Sequence, residues 1–90
     1  MLKRYLVERE IPGIGKMSMD DLCRTAESSN QALATLSPKV QWTHSFLGED
    51  RTYCIYFAEN EDLVRRHAEI IGLPANRIVE VPRMIDPTTP

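Results

Sequence analysis

Between Val40 and Ala58 two strand-like runs, VQWTHSFL and TYCIYFA, are separated only by the short polar connection Gly48-Glu49-Asp50-Arg51. Alternating side chains on either side of a tight polar link predict a β-hairpin. The hairpin holds the only tryptophan (Trp42), one of the two histidines (His44) and one of the two cysteines (Cys54). Whatever chemistry the chain performs is therefore expected to touch it.

Register decides which of these groups meet. If Gly48 pairs with Arg51, then Trp42, His44 and Phe46 share a face with Tyr53, Ile55 and Phe57, while Thr43, Ser45 and Leu47 share the other with Thr52, Cys54, Tyr56 and Ala58. His44 and Cys54 then point apart. A three-residue loop would slip the pairing by one and set them opposite each other, but two-residue connections are the commoner hairpins.

The remaining pattern supplies the rest of one small fold. Lys3 to Glu10 alternates Tyr5, Val7 and Arg9 against Leu6, Glu8 and Glu10, as a strand with one covered face does. The following Ile11-Pro12-Gly13-Ile14-Gly15-Lys16 is a loop, and its GIGK lacks the spacing of a phosphate loop or a dinucleotide fingerprint. Ser18 is placed to cap a helix with Asp20 and Asp21 in its first turn, and Leu22, Cys23, Ala26, Asn30, Leu33 and Leu36 recur at helical spacing up to Ser37-Pro38. Asn60 caps a second helix carrying Leu63, Val64, Ala68 and Ile71, with His67 at its boundary and Gly72 at its end. Arg77 to Met84 reads as a last strand, and Pro82, which has no N–H for a ladder, predicts a sheet-edge position.

The order is β-α-β-β-α-β. This predicts a ferredoxin-like α+β fold, a four-stranded antiparallel sheet in order 4-1-3-2 with both helices on one face. Residues 1–85 form the single domain and 86–90 a C-terminal tail. The bare sheet face suits dimerisation, two such faces closing a dimeric α/β barrel.

A net charge of −2 gives no basic footprint for nucleic acid. No apolar run approaches the ~20 residues that span a bilayer, and the N-terminus enters a strand pattern rather than a signal segment, so a cytoplasmic protein is expected. Cys23 and Cys54 lack CxxC spacing and are expected to be reduced and buried.

Small side chains let helices approach a sheet, so Ser45, Cys54 and Ala58 are assigned to the helix side together with Val79 and Val81. Trp42, His44, Phe46 and Tyr53 then occupy the open face, and Glu8 and Glu80 turn outward with them. An imidazole and two carboxylates on a face that dimerisation covers make His44, Glu8 and Glu80 the candidate metal ligands, with Tyr53 and Cys54 as second choices and Trp42 as a binding residue. Such mixed donors suit nickel, cobalt or zinc. The plainer reading has the two carboxylates paired with Arg4, Arg9 or Arg83 and His44 packed among aromatics.

The segments YLVERE, SSNQALATLSPKVQWTHSF, RTYCIYFAENEDLVRRHAEIIGLPANRI and EVPRMIDPTTP resemble a family of small bacterial ferredoxin-like proteins that includes an actinomycete nickel-binding protein. The resemblance covers most of the chain and is most specific in QWTHSF and TYCIYFA. It implies a dimeric α/β barrel and a nickel site, and it carries His44, Glu8 and Glu80, which fall in matching segments; with the face assignment it points to a small dimeric metal-binding protein acting in metal binding or homeostasis without catalysis. Two other functions fit the architecture: a cofactor-poor monooxygenase or isomerase with a pocket holding His44 or Tyr53, and a non-catalytic interaction module.

Overall fold

The computed structural model of the protein covers Met1–Pro90. Its elements are β1 (Lys3–Glu10), one 3-10 turn (Ile14–Lys16), α1 (Met19–Leu36), β2 (Val40–Leu47), β3 (Arg51–Ala58), α2 (Glu61–Ile71) and β4 (Arg77–Glu80). The sheet runs β2-β3-β1-β4, the expected order read from the opposite edge, and every neighbouring pair is antiparallel. β4 lies at an edge as Pro82 predicts but ends earlier than expected. The Val81 N–H still donates to the Arg4 carbonyl at 2.9 Å; the next residue has no N–H to give.

Both helices start where their caps place them. The Ser18 hydroxyl accepts from the Asp21 N–H at 3.1 Å and the Asn60 side-chain oxygen from the Leu63 N–H at 3.0 Å, each satisfying an otherwise orphaned donor. Gly72 closes α2 at φ +70°, a left-handed conformation that a β-carbon would strain.

The buried face of α1 follows Leu22, Ala26, Ser29, Leu33 and Leu36, with Ala32 beside it. Cys23 and Asn30, assigned to this stripe from spacing, stand exposed on its shoulders. They are offset by one residue from its centre, about 100° around the helix. Both cysteines are free thiols, and only Cys54 is buried.

Leu33 of α1 and Val64 of α2 pack with Tyr5, Val7, Val40, Cys54, Tyr56 and Ala58 into one core, so both helices cover the same side of the sheet. Burial of each large aliphatic side chain there contributes about 1.5–3 kcal/mol. His67 belongs to this interior rather than to a boundary, being fully buried where α2 meets α1.

The loop after β1 docks on the tip of the hairpin. Ile11 N–H donates to the Asp50 carbonyl at 2.8 Å, Gly13 N–H to the Asp50 carboxylate at 2.8 Å and Gly15 N–H to the Glu49 carbonyl at 2.9 Å. Gly15 is needed by proximity: a β-carbon there would lie 2.6 Å from the Gly48 carbonyl oxygen.

Candidate functional site

The hairpin turn closes as read from the sequence, with the Gly48 N–H donating to the Arg51 carbonyl at 2.8 Å. From Leu47↔Thr52 back to His44↔Ile55 the register is the expected one. It then shifts at a β-bulge: Thr43 is the extra residue, and Trp42 pairs with Tyr56 rather than Phe57. Trp42 consequently turns to the helix side, correcting its assignment to the open face. There the indole is half-buried and donates to the Ser45 hydroxyl at 3.0 Å. Small Ser45 and Cys54 leave room for the indole instead of drawing a helix close, and a large amphipathic ring gains most from that space.

The open face keeps His44, Phe46, Tyr53, Ile55 and Glu8. Cross-strand rows run Phe46–Tyr53–Glu8–Arg77 and His44–Ile55–Leu6–Val79. His44 meets Phe46 edge-on at 5.2 Å between ring centroids, and Arg4 lies over the Phe57 ring at 5.3 Å. Phe46 is 64 % exposed, and no helix lies over this surface.

The alternative pairing of Glu8 with Arg4 or Arg9 does not form. Arg9 points to the helix side, and Arg4 donates to the Val81 carbonyl. His44 and Glu8 are separated by two strand spacings and offset by one row. This is on the order of 12 Å between their backbones.

Glu80 is on the other side of the sheet. It pairs with Tyr5, and Ile78 with Val7, so Ile78 faces the core while Val79 looks outward. This corrects the expected phase, with Val79 and Val81 inward and Glu80 outward. Apolar residues occur at both parities of RIVEVP, so alternation alone does not fix its phase. Burial raises the pKa of the Tyr5 hydroxyl above the usual tyrosine value, and the charges of Glu80 and Glu61 add to the rise. By its pairing with Tyr5, Glu80 stands on the helix side of the edge strand, where it remains exposed. Within one chain no three His, Cys, Asp or Glu side chains converge as a metal-binding cluster.

Between sheet and helices lies a cavity of ≈ 230 Å³ whose wall includes Trp42, Cys54, Thr52, Ser29, Tyr56 and Arg9. His44 and Tyr53 do not line it. The Cys54 thiol lies 3.6 Å from the Thr52 hydroxyl, on the opposite face from His44, as the turn register requires. Arg9 is 2 % exposed; its guanidinium donates to the Pro74 carbonyl at 2.7 Å and to the Tyr56 hydroxyl at 3.3 Å.

Beside Tyr56, the His67 ring has Nε2 3.2 Å from the Ser29 hydroxyl and 3.4 Å from the Ser29 carbonyl, while its Nδ1 has no partner. Burial lowers the His67 pKa below the ordinary imidazole value; the Ser29 carbonyl works against the shift and Arg9 with it. Burial likewise raises the Tyr56 hydroxyl, against the pull of Arg9. Sequence parity already put Arg9 beside Tyr5 and Val7, the one signal that could have singled it out.

A four-stranded antiparallel sheet with two helices on one side and an aromatic face on the other defines a ferredoxin-like α+β domain. It is similar to the crystal structure of SCO4226 from Streptomyces coelicolor A3(2), with a TM-score of 0.75 at 18 % identity over 91 % of this chain and 99 % of that chain. The family model described as "Nickel responsive protein SCO4226-like" matches residues 5–81, and the chain belongs to that family. No curated protein sequence matches it. The matched residues include Glu8, His44 and Glu80. No helix is long and apolar enough to cross a membrane.

Proposed function

We propose that the protein is a small nickel-binding protein, acting in metal binding or homeostasis as a homodimer, with His44 and Glu8 as metal donors. The observation that carries this reading is their common position on the uncovered face, among Phe46, Tyr53 and Ile55. An imidazole nitrogen and a carboxylate oxygen form a donor set that suits a borderline divalent ion. The family description supports nickel as that ion.

One chain offers too few donors on this face. At their separation His44 and Glu8 of one copy do not readily share an ion, whereas a two-fold partner laid over the face doubles the set. Three eight-residue strands and one of four residues, at about 4.8 Å spacing and about 3.3 Å per residue, present roughly 440 Å² in projection. Together with the rim this approaches the ~800 Å² per partner of a standard stable interface. Enclosure between two apolar faces also strengthens each metal–ligand contact by excluding water.

The test uses chelator-stripped protein titrated with Ni2+ by calorimetry, alongside sedimentation equilibrium. The expected result is saturable Ni2+ binding by a dimer, weakened at least ten-fold in His44→Ala and in Glu8→Gln. Phe46→Asp is expected to give monomers with the same loss. No heat of binding in the parent protein, or binding unchanged by His44→Ala, removes the proposal.

A further inference from the structure

Arg9 is the only Lys, Arg, Asp or Glu side chain that is buried. Its two hydrogen-bond acceptors, the Pro74 carbonyl and the Tyr56 hydroxyl, are uncharged. The ion pairs of the protein join Arg24 to Asp21, Arg51 to Glu10 and Arg65 to Glu61; Arg9 belongs to none of them. A guanidinium does not shed its proton to suit an apolar site, as a buried lysine or histidine does. A buried charge of this kind calls for an anion.

Arg9 also stands at the wall of the ≈ 230 Å³ cavity, most of whose lining is hydrophobic. The polar groups beside it are the hydroxyls of Ser29, Thr52 and Tyr56, each buried, and elsewhere the wall includes Trp42, Leu22 and Ile14. One cation with a few hydroxyls, set in an apolar surround, is the arrangement of an orienting contact inside a small-molecule pocket.

We propose that this cavity is a binding site for a small monocarboxylate with an apolar body, the carboxylate resting on Arg9. Size and lining define the class. An apolar void of about 150 Å³ accommodates benzene, so this cavity has room for about nine non-hydrogen atoms, the size of benzoate or a short branched fatty acid. The planar fork of a guanidinium matches a carboxylate with two parallel hydrogen bonds. A phosphate would fill the polar end but leave the Trp42 end without contacts, and it carries more charge than one guanidinium balances. The site lies across the sheet from His44 and Glu8, so it stands or falls independently of the metal reading.

The test uses chelator-treated protein, so that nickel plays no part. Trp42 is the only tryptophan and lines the cavity, so its emission reports occupancy. Benzoate, benzamide and inorganic phosphate are titrated in turn against the parent protein and Arg9→Met. The expected result is a saturable emission change and a raised melting temperature with benzoate. Affinity is expected to be at least ten-fold weaker for benzamide and undetectable for phosphate, and Arg9→Met is expected to lose the benzoate response.

Met is an apolar chain of comparable reach, so Arg9→Met removes the charge and keeps much of the packing. If that variant fails to fold, the benzoate-to-benzamide ratio in the parent protein decides alone. The proposal is overturned by no saturable response to benzoate, by equal affinity for benzamide, by competition from phosphate at similar concentration, or by a folded Arg9→Met that still binds benzoate.

Discussion

Replacing Gly15 by alanine tests whether the loop after β1 is clamped to the hairpin tip. Gly15 has no positive φ, so alanine meets no backbone strain there and the effect isolates the contact. The added β-carbon would lie 2.6 Å from the Gly48 carbonyl oxygen and 2.9 Å from the Glu49 α-carbon. Ordinary carbon contacts begin near 3.5 Å, so loop and turn must part by roughly 1 Å. Both obstacles are backbone atoms, which have no rotamer to escape into.

Such a displacement carries the Gly15 N–H away from the Glu49 carbonyl, now at 2.9 Å, and loosens the two bonds to Asp50 at 2.8 Å. At about 1 kcal/mol net per hydrogen bond, Gly15→Ala is expected to cost about 1–3 kcal/mol. In a domain of this size each kcal/mol lowers the melting temperature by about 4–8 °C. Urea unfolding followed by circular dichroism measures the first quantity and a thermal scan the second. A variant within about 0.5 kcal/mol of the parent, the range of a neutral surface change, would refute the clamp.

His67 gives a pH signature. Its folded-state pKa is lowered by burial, so the unfolded chain takes up a proton first as the pH falls. Stability is then full above the ordinary imidazole pKa of about 6.5 and declines below it, until the folded-state pKa is passed. A urea midpoint lower at pH 5.5 than at pH 7.5, with the difference reduced in His67→Gln, is the expected outcome; a flat midpoint would contradict it. Val64, fully buried against the sheet, should lose about 2–3 kcal/mol as Val64→Ala, measured by urea unfolding. A loss under about 0.5 kcal/mol would mean that α2 does not pack as described.

Much of the architecture was legible because local signals agreed. Ser18, Asn60 and Gly72 stand where capping chemistry puts them, and Pro82 marks the edge strand. The turn register followed from loop length, and with it the separation of His44 from Cys54. What failed to read was phase away from the turn. Nothing in VQWTHSFL marks Thr43 as supernumerary, since the bulge carries no glycine, and the preference that creates it belongs to the indole and the space across the sheet. RIVEVP is apolar at both parities, so only its pairing with β1 puts Glu80 on the helix side, where it stays exposed. The depth of His67 and Arg9 is hidden in the sequence for a related reason. Each lies at a position with the right parity or stripe, but depth depends on how closely α1 and α2 meet above it.

The supernumerary threonine makes one eight-residue strand behave as two segments with separate phases. On both sides of it side chains alternate between the interior hollow, with Trp42 upstream and Ser45 and Leu47 downstream, and the open face, with Gln41 upstream and His44 and Phe46 downstream. The two surfaces are thus free to diverge, although neither is farther from the other than the thickness of a single backbone. A one-residue insertion or deletion elsewhere in this strand would exchange the compartments outright.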